Sequence, residues 1–284
     1  MIPDATPHGP SGGATPGLVA FVEGVGLWTP RWTSWEAALA QWNTPATPGE
    51  PRPQDPPPPL PLAPNERRRL SPTVKLALQV AFAATANAAR PPAVLGAVFA
   101  CGGGNAEALE RVVTALNAPG RPVSPNQFNN SVHNAALGYW SIAAGSTAPA
   151  TSLAAHRASA AAGLLEAAAL AHAEGGPVLL VVYDVPLPPL FGPRVPRGEA
   201  FAFGLVLSPT PAHPTTHHRL LLAWPGCGRP SPAIAPGDGA LMAHNPAARG
   251  LPLLRAMASE TAATVVLPGA GDIPLAVEVQ PWPP

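Results

Sequence analysis

His156 stands in the run Ala154-Ala155-His156-Arg157-Ala158-Ser159, between a short β-prone segment and an alanine-rich stretch of helical character. A bend between a strand and a helix is where α/β enzymes set a nucleophile, because the helix N-terminus favours negative charge. An imidazole placed there can act as an acid–base group, since unperturbed histidine titrates near about pH 6.5. A triad also needs a nucleophile and an orienting acid. Ser152, Ser159 and Asp184 are the pieces at hand, although no G-x-S-x-G surrounds either serine. Cys101 is a second candidate: it opens Cys101-Gly102-Gly103-Gly104-Asn105 just before a helix at 106–116, where a thiolate can be stabilised. The glycine run can cradle phosphate, but it has neither Walker-type nor dinucleotide-type spacing. His217 and His218, adjacent on an expected strand, should point to opposite faces, which is poor metal geometry. Cys101 and Cys227 fit no metal pattern and are expected to be reduced thiols; no metal and no cofactor is expected.

These groups need elements to position them. Val178 to Tyr183 is apolar without alternation, the pattern of a strand covered on both faces, hence of a sheet between helices. The helix before it keeps Ala158, Ala161, Ala162, Leu165, Ala168, Ala169 and Ala171 along broadly one side, and Gly175-Gly176 ends it. So many small side chains let neighbouring backbones approach, which places this helix inside the molecule. Earlier in the chain, Leu18 to Trp28 reads as the first strand. Thr33 and Glu36 form a capping-box pattern ahead of Trp35, Leu39 and Trp42, one buried helix face. Ser71-Pro72 reads as the N-cap and first position of a helix carrying Val74, Leu78, Ala81, Phe82 and Thr85. Val94 to Ala100 reads as a strand, and Ser124-Pro125 opens the segment leading to the bend. Pro196 to Ser208 ends in another strand. The last part reads as strands at 217–224, 263–267 and 273–279 with a helix near 251–259.

The order strand, Gly145, bend, alanine-rich helix, buried strand resembles the N-terminal half of β-ketoacyl synthases, of the thiolase-like superfamily. Gly24-Val25-Gly26 with Thr29-Pro30 is similar to the opening of that family, and Pro196 to Ser208 is similar to the strand closing its N-terminal half. The resemblance implies an α/β, thiolase-like layered fold with one complete N-terminal half and a shortened C-terminal part. The expected organisation is a disordered tail at 1–17, a ketosynthase-like domain at 18–208 with a proline-rich insertion at 44–64, and a short α/β extension at 209–284. Family members carry an acyl-accepting cysteine at the bend. Here that position falls on His156, or on Ala154 or Ala155, none of them a thiol. The chain thus resembles the chain-length-factor subunits of type II polyketide and aryl-polyene pathways, which pair with an active ketosynthase. Carried over, Phe128, Val132, His133 and Ala136 are candidates for lining or closing the partner's acyl tunnel, with Phe128 the gate. Arg67, Arg68 and Arg69 are candidates for docking an acidic acyl carrier protein. Two alternatives stay open: a stand-alone acyltransferase or thioesterase using His156 or Cys101, and a structural homodimer without a tunnel role.

Composition excludes other classes. The 284 residues are 46% apolar with a formal charge of zero, enough for a core and without a field that draws nucleic acid or an anionic membrane. Forty-two prolines and 27 glycines, with fifteen arginines against the single Lys75, look like GC-rich coding bias. The N-terminus has no basic then apolar leader, and no run reaches the roughly 18 to 20 residues that span a bilayer. A cytoplasmic location is the expectation.

Overall fold

A computed structural model describes residues 17–43, 61–191, 198–223 and 237–283. Most of the expected tail, residues 44–60 of the proline-rich insertion, and Cys227 lie outside the described residues. One mixed sheet of eight strands, in the order β3-β2-β4-β5-β1-β6-β8-β7, runs through the molecule. Its strands are β1 (Leu18–Trp28), β2 (Gly96–Ala100), β3 (Ala150–Leu153), β4 (Val178–Asp184), β5 (Phe201–Ser208), β6 (His218–Ala223), β7 (Ala263–Leu267) and β8 (Leu275–Pro281). β2 pairs in parallel with both β3 and β4; the remaining pairings are antiparallel. β2, β4 and β5 are buried along their whole length, which is why their sequences are apolar without alternation.

The helices are α1 (Trp35–Trp42), α2 (Pro64–Arg69), α3 (Pro72–Asn87), α4 (Ala106–Asn117), α5 (Pro125–Ser131), α6 (Ala135–Ala144), α7 (Ser159–Glu174), α8 (Asp238–His244) and α9 (Leu251–Ala258). They form a layer on each side of the sheet. α3 and α6 close one core around Trp140, Phe99 and Tyr183; α1, α7, α8 and α9 close the other around Phe201, Phe203 and Leu254. Residue 208 is the last of β5. Beyond it, β6, β8 and β7 continue the same sheet past β1.

Local chemistry explains the element ends. Ser71 Oγ accepts from Val74 N at 3.2 Å and Pro72 occupies the first turn of α3, as expected. α1 begins one residue later than the capping-box reading: Ser34, not Thr33, accepts from Ala37 N at 3.1 Å. Glu36 turns instead to Asn87, whose Nδ2 also donates to Val25 O, linking α1, α3 and β1. Trp42 packs edge-on to Trp32 and Trp35, with ring centroids 5.0 and 5.8 Å away, and the Arg255 guanidinium lies 4.1 Å from the centre of its ring. Asp238 holds that guanidinium by two bonds of 3.0 and 3.1 Å. This cation–π stack clamps α1 to α9, near the far end of the chain.

α7 lies against the sheet as its alanines require, with Ala160, Ala161, Ala167, Ala168 and Ala171 buried. A Cβ on its Gly163 would stand 2.8 Å from the Ala100 Cβ, so the helix sits close on β2. Not all of the expected face is interior: Ala162 and Leu165 are half-buried and Ala169 is exposed.

Candidate functional site

The three parallel strands β2, β3 and β4 end side by side, and the segments leaving them carry nearly every residue singled out for chemistry. The C-terminal edge of parallel strands is where α/β folds assemble sites. β2 leads into the glycine loop 101–104, β3 into the bend at 154–158, and β4 ends on Asp184.

Asp184 is 1% exposed. Its carboxylate accepts from Gly102 N at 3.0 Å and Gly103 N at 2.6 Å, and from the Cys101 thiol at 3.3 Å. Burial pushes its pKa up, and these hydrogen bonds oppose the shift. The carboxylate anchors a loop rather than orienting an imidazole. The same geometry disposes of Cys101. Its thiol is wholly buried and pushed well above its ordinary pKa, first by burial and then by the Asp184 charge, the surroundings of a structural cysteine rather than of a reactive one.

His156 occupies the bend with φ +49°, in the left-handed region that costs a side-chain-bearing residue about 1–2 kcal/mol. A strained turn between strand and helix is the backbone of a nucleophile elbow. Its carbonyl stands 3.0 Å from where a Cβ on Gly102 would be, so the glycine loop presses directly on the bend. The imidazole is exposed, and its Nδ1 accepts from Arg157 N at 2.7 Å. Among the described residues it makes no hydrogen bond to Ser152, Ser159 or Asp184, so the triad conceivable from the sequence does not assemble. Ser159 is fully buried and committed to the backbone: its Oγ donates to His156 O at 2.8 Å and accepts from Ala155 N at 3.1 Å. Ala154 and Ala155, the other residues considered at the bend, supply only methyl groups.

Ser152 pairs elsewhere. Its Oγ lies 3.0 Å from Nδ1 of His133, whose Nε2 lies 3.2 Å from the Cys101 carbonyl oxygen. Asn245, 2% exposed, is a residue that sequence reasoning missed. Its Nδ2 donates to the carbonyls of Asp184 at 3.0 Å and Glu199 at 2.8 Å, and its Oδ1 accepts from Ala248 N at 3.1 Å. The Asn245-Pro246 dipeptide is a turn signal that points to the position, though not to its partners.

The expected tunnel and interface residues divide. Phe128 (58%) and Val132 (42%) are exposed, and one helical turn past Gly138, Ile142 is 70% exposed. Ala136 is 2% exposed and faces the core with Trp140, so it lines no open face. α2, α5 and α6 border a groove of about 720 Å3 reached by Glu66, Arg69, Asn126, Val132, Tyr139 and Ile142. Of the arginines at the end of α2, Arg69 pairs with Glu66 at 3.3 Å, Arg68 bonds Asn65, and Arg67 is half-buried. Among the described residues β3 is the outermost strand on its side of the sheet, so one row of its backbone groups has no neighbouring strand there.

His217 and His218 differ from the expected geometry. The strand begins at His218, so alternation does not reach His217, and the two Nδ1 atoms meet at 2.6 Å. Burial, then the neighbouring ring, lowers the His217 pKa to about 4; burial lowers that of His218. Folding thus disfavours the charged form of both rings, whereas in the unfolded chain they take up protons near about pH 6.5. Their contribution is complete above that value and is lost as pH falls towards 4, to the extent of about 2–3 kcal/mol for His217. Urea midpoints should therefore fall between pH 7.5 and 5, and His217→Gln should flatten that slope. An unchanged slope in the variant would show that other groups carry it.

Among the described residues there is no group of three or more metal-ligating side chains and no helix long and apolar enough to cross a membrane. Comparison with curated proteins finds no match. Three solved structures share the fold. One chain of a ketosynthase (ApeO) in complex with its chain length factor (ApeC) from Xenorhabdus doucetiae is 22% identical, with a TM-score of 0.66 over 92% of this chain and 99% of that one. A chain of the ishigamide ketosynthase/chain length factor is 13% identical at a TM-score of 0.66, covering 92% and 98%. A chain of the AntDE:AntF complex, a type II acyl-carrier protein with its ketosynthase bound to the hexaketide, is 11% identical at 0.68, covering 93% and 99%. At these identities the likeness is one of fold. The profile of the β-ketoacyl synthase N-terminal domain matches residues 32–261, most of the sequence. The chain therefore belongs to the β-ketoacyl synthase family, through its N-terminal domain.

Proposed function

We propose that the chain is a ketosynthase-like subunit of chain-length-factor type, taking no part of its own in carbon–carbon condensation. It would pair with an active ketosynthase in the cytoplasm, on carrier-bound thioesters of polyketide, aryl-polyene-like or fatty acid synthesis. The observation that carries this reading is the elbow. Its strained backbone at His156 persists, while no thiol stands on it and Cys101 is sealed behind Asp184. On this reading His156 occupies the degenerate nucleophile position.

The exposed face supports a partner. Exposed Val132 and Ile142 border the same groove as Gly138, a glycine in the middle of α6 whose Cβ would meet nothing within 4 Å. Glycine inside a helix costs about 1 kcal/mol relative to alanine, and no contact among the described residues requires it there. A second subunit approaching α6 closely would require it. The outer edge of β3, a strand that α6 touches, adds backbone groups for pairing. Arg67, Arg68 and Arg69, beside the groove, remain the proposed contact for an acidic carrier protein. Several solved structures of this fold are ketosynthases with a chain length factor or an acyl-carrier protein, which agrees with the reading.

Co-expression with a ketosynthase tests it. The two chains should co-purify as a heterodimer, and Phe128→Ala should lengthen the products of the reconstituted pair. A stable homodimer that excludes every ketosynthase offered, or condensation by the isolated chain, would reject the reading.

A further inference from the structure

We propose that Ser152 and His133 form a serine–imidazole pair that hydrolyses activated acyl groups, thioesters in particular. The pair is held from three directions. Ser152 lies on the edge strand β3, and His133 stands one residue before the N-cap of α6, Asn134, in the turn closed by Ala135 N to Val132 O at 3.2 Å. Cys101 O, at the end of β2, faces the other ring nitrogen at 3.2 Å. A carbonyl oxygen can only accept, so Nε2 carries the proton in the neutral ring. Nδ1 is then left with its lone pair towards the Ser152 hydroxyl, 3.0 Å away. That is the arrangement of a general base on a hydroxyl nucleophile, with a carbonyl in the orienting role usually filled by a carboxylate.

Position and access agree with this role. The ring packs over Gly104, whose φ of +60° keeps a side chain away; a Cβ there would lie 3.6 Å from the His133 Cδ2. Ser152 and His133 are half-buried, neither sealed like Ser159 nor solvated like His156. Both stand at the C-terminal edge of the parallel strands, beside the elbow.

The chemistry balances without a cofactor. Ser152 Oγ attacks the acyl carbonyl carbon as His133 Nδ1 takes the hydroxyl proton. The C–S bond breaks, and the departing thiolate receives that proton. Water then attacks the acyl-serine, Nδ1 accepting a proton from it and returning it to Oγ as the ester C–O bond breaks. The products are a carboxylic acid and a thiol. The pair's reactivity stands on geometry alone; that its natural donor is a carrier-bound thioester rests on the reading given above.

The test uses the full-length chain, a fluorophosphonate probe, and the hexanoyl thioester of N-acetylcysteamine. The probe should label Ser152 by mass spectrometry, and hydrolysis of the thioester should be measurable without a partner. His133→Gln should lower both rates by about 100-fold, the usual contribution of a general base. His156→Ala should leave them unchanged. Should Ser152→Ala prove unstable, Ser152→Cys supplies the second readout: iodoacetamide should alkylate that thiol faster than the buried Cys101, and His133→Gln should slow the reaction. Absence of label on Ser152 in the folded protein, or a labelling rate indifferent to His133→Gln, overturns the proposal. Labelled Ser152 in a chain that pairs with no ketosynthase would instead count against the subunit reading and leave this one standing.

Discussion

Arg90→Met is expected to lower the stability of the fold by about 3–5 kcal/mol, the cost of leaving a buried charge without its partner. Glu23 is 0% exposed, on β1 where the register slips between Val22 and Gly24. Its two oxygens receive Nε and Nη2 of Arg90 at 2.7 and 2.8 Å, a fork-to-fork pair. The guanidinium is held more firmly protonated by this bond, although burial works the other way. The two ends are not equivalent: the Arg90 side chain keeps 24% of its surface in water, whereas Glu23 keeps none. Removing arginine strands the carboxylate; Glu23→Leu removes the buried charge and leaves a cation that water can reach. Denaturant unfolding of both variants should therefore show a much larger loss for Arg90→Met. Equal losses would mean that the pair matters by its packing and not by its charge.

Gly26→Ala should cost about 3 kcal/mol or more, at the upper end of what overpacking does to a core. A Cβ on Gly26 would fall 2.3 Å from Val80 O and 2.9 Å from Ala84 N, and one on Gly24 would fall 2.4 Å from both Ala84 O and Ala88 N. These are backbone atoms of α3 and of its C-cap, Ala88, so no rotamer change relieves the clash. Gly204, the register partner of Gly26 on β5, would meet Val80 O at 2.8 Å. Together the glycines form a shallow trough in the sheet where α3 rests on bare backbone. Gly138→Ala is the matched control: it adds the same methyl to open space and should stabilise the isolated chain by about 1 kcal/mol. Thermal unfolding that moved both variants the same way would refute the trough.

Much of this was legible in advance where one physical signal dominated. The unbroken apolar runs of β2 and β4 marked a covered sheet, and Ser71-Pro72 marked the start of α3. Gly24-Val25-Gly26 and the order around the elbow pointed to the family that the profile match establishes. Errors came where local chemistry is degenerate. Thr33 and Ser34 both carry a hydroxyl able to cap α1, and only the path of the chain selects Ser34. In α7, alanine on every side leaves no contrast to tell the sheet face from the exposed Ala169. His217 escaped the alternation rule because β6 begins one residue after it. The contacts that matter most at the site were illegible for another reason. Ser152 with His133, and Asn245 with Asp184 and Glu199, join residues on separate segments, and no spacing in one sequence records such meetings.

The place of β1 between β5 and β6 bears on how the polypeptide is made. Leu18–Trp28 is synthesised well before its partners, Phe201–Ser208 and His218–Ala223. At roughly 5–20 residues per second, an apolar ribbon with two open sides waits on the order of ten seconds for the segments that will flank it. During translation that nascent segment is the stretch most in need of a chaperone's shelter.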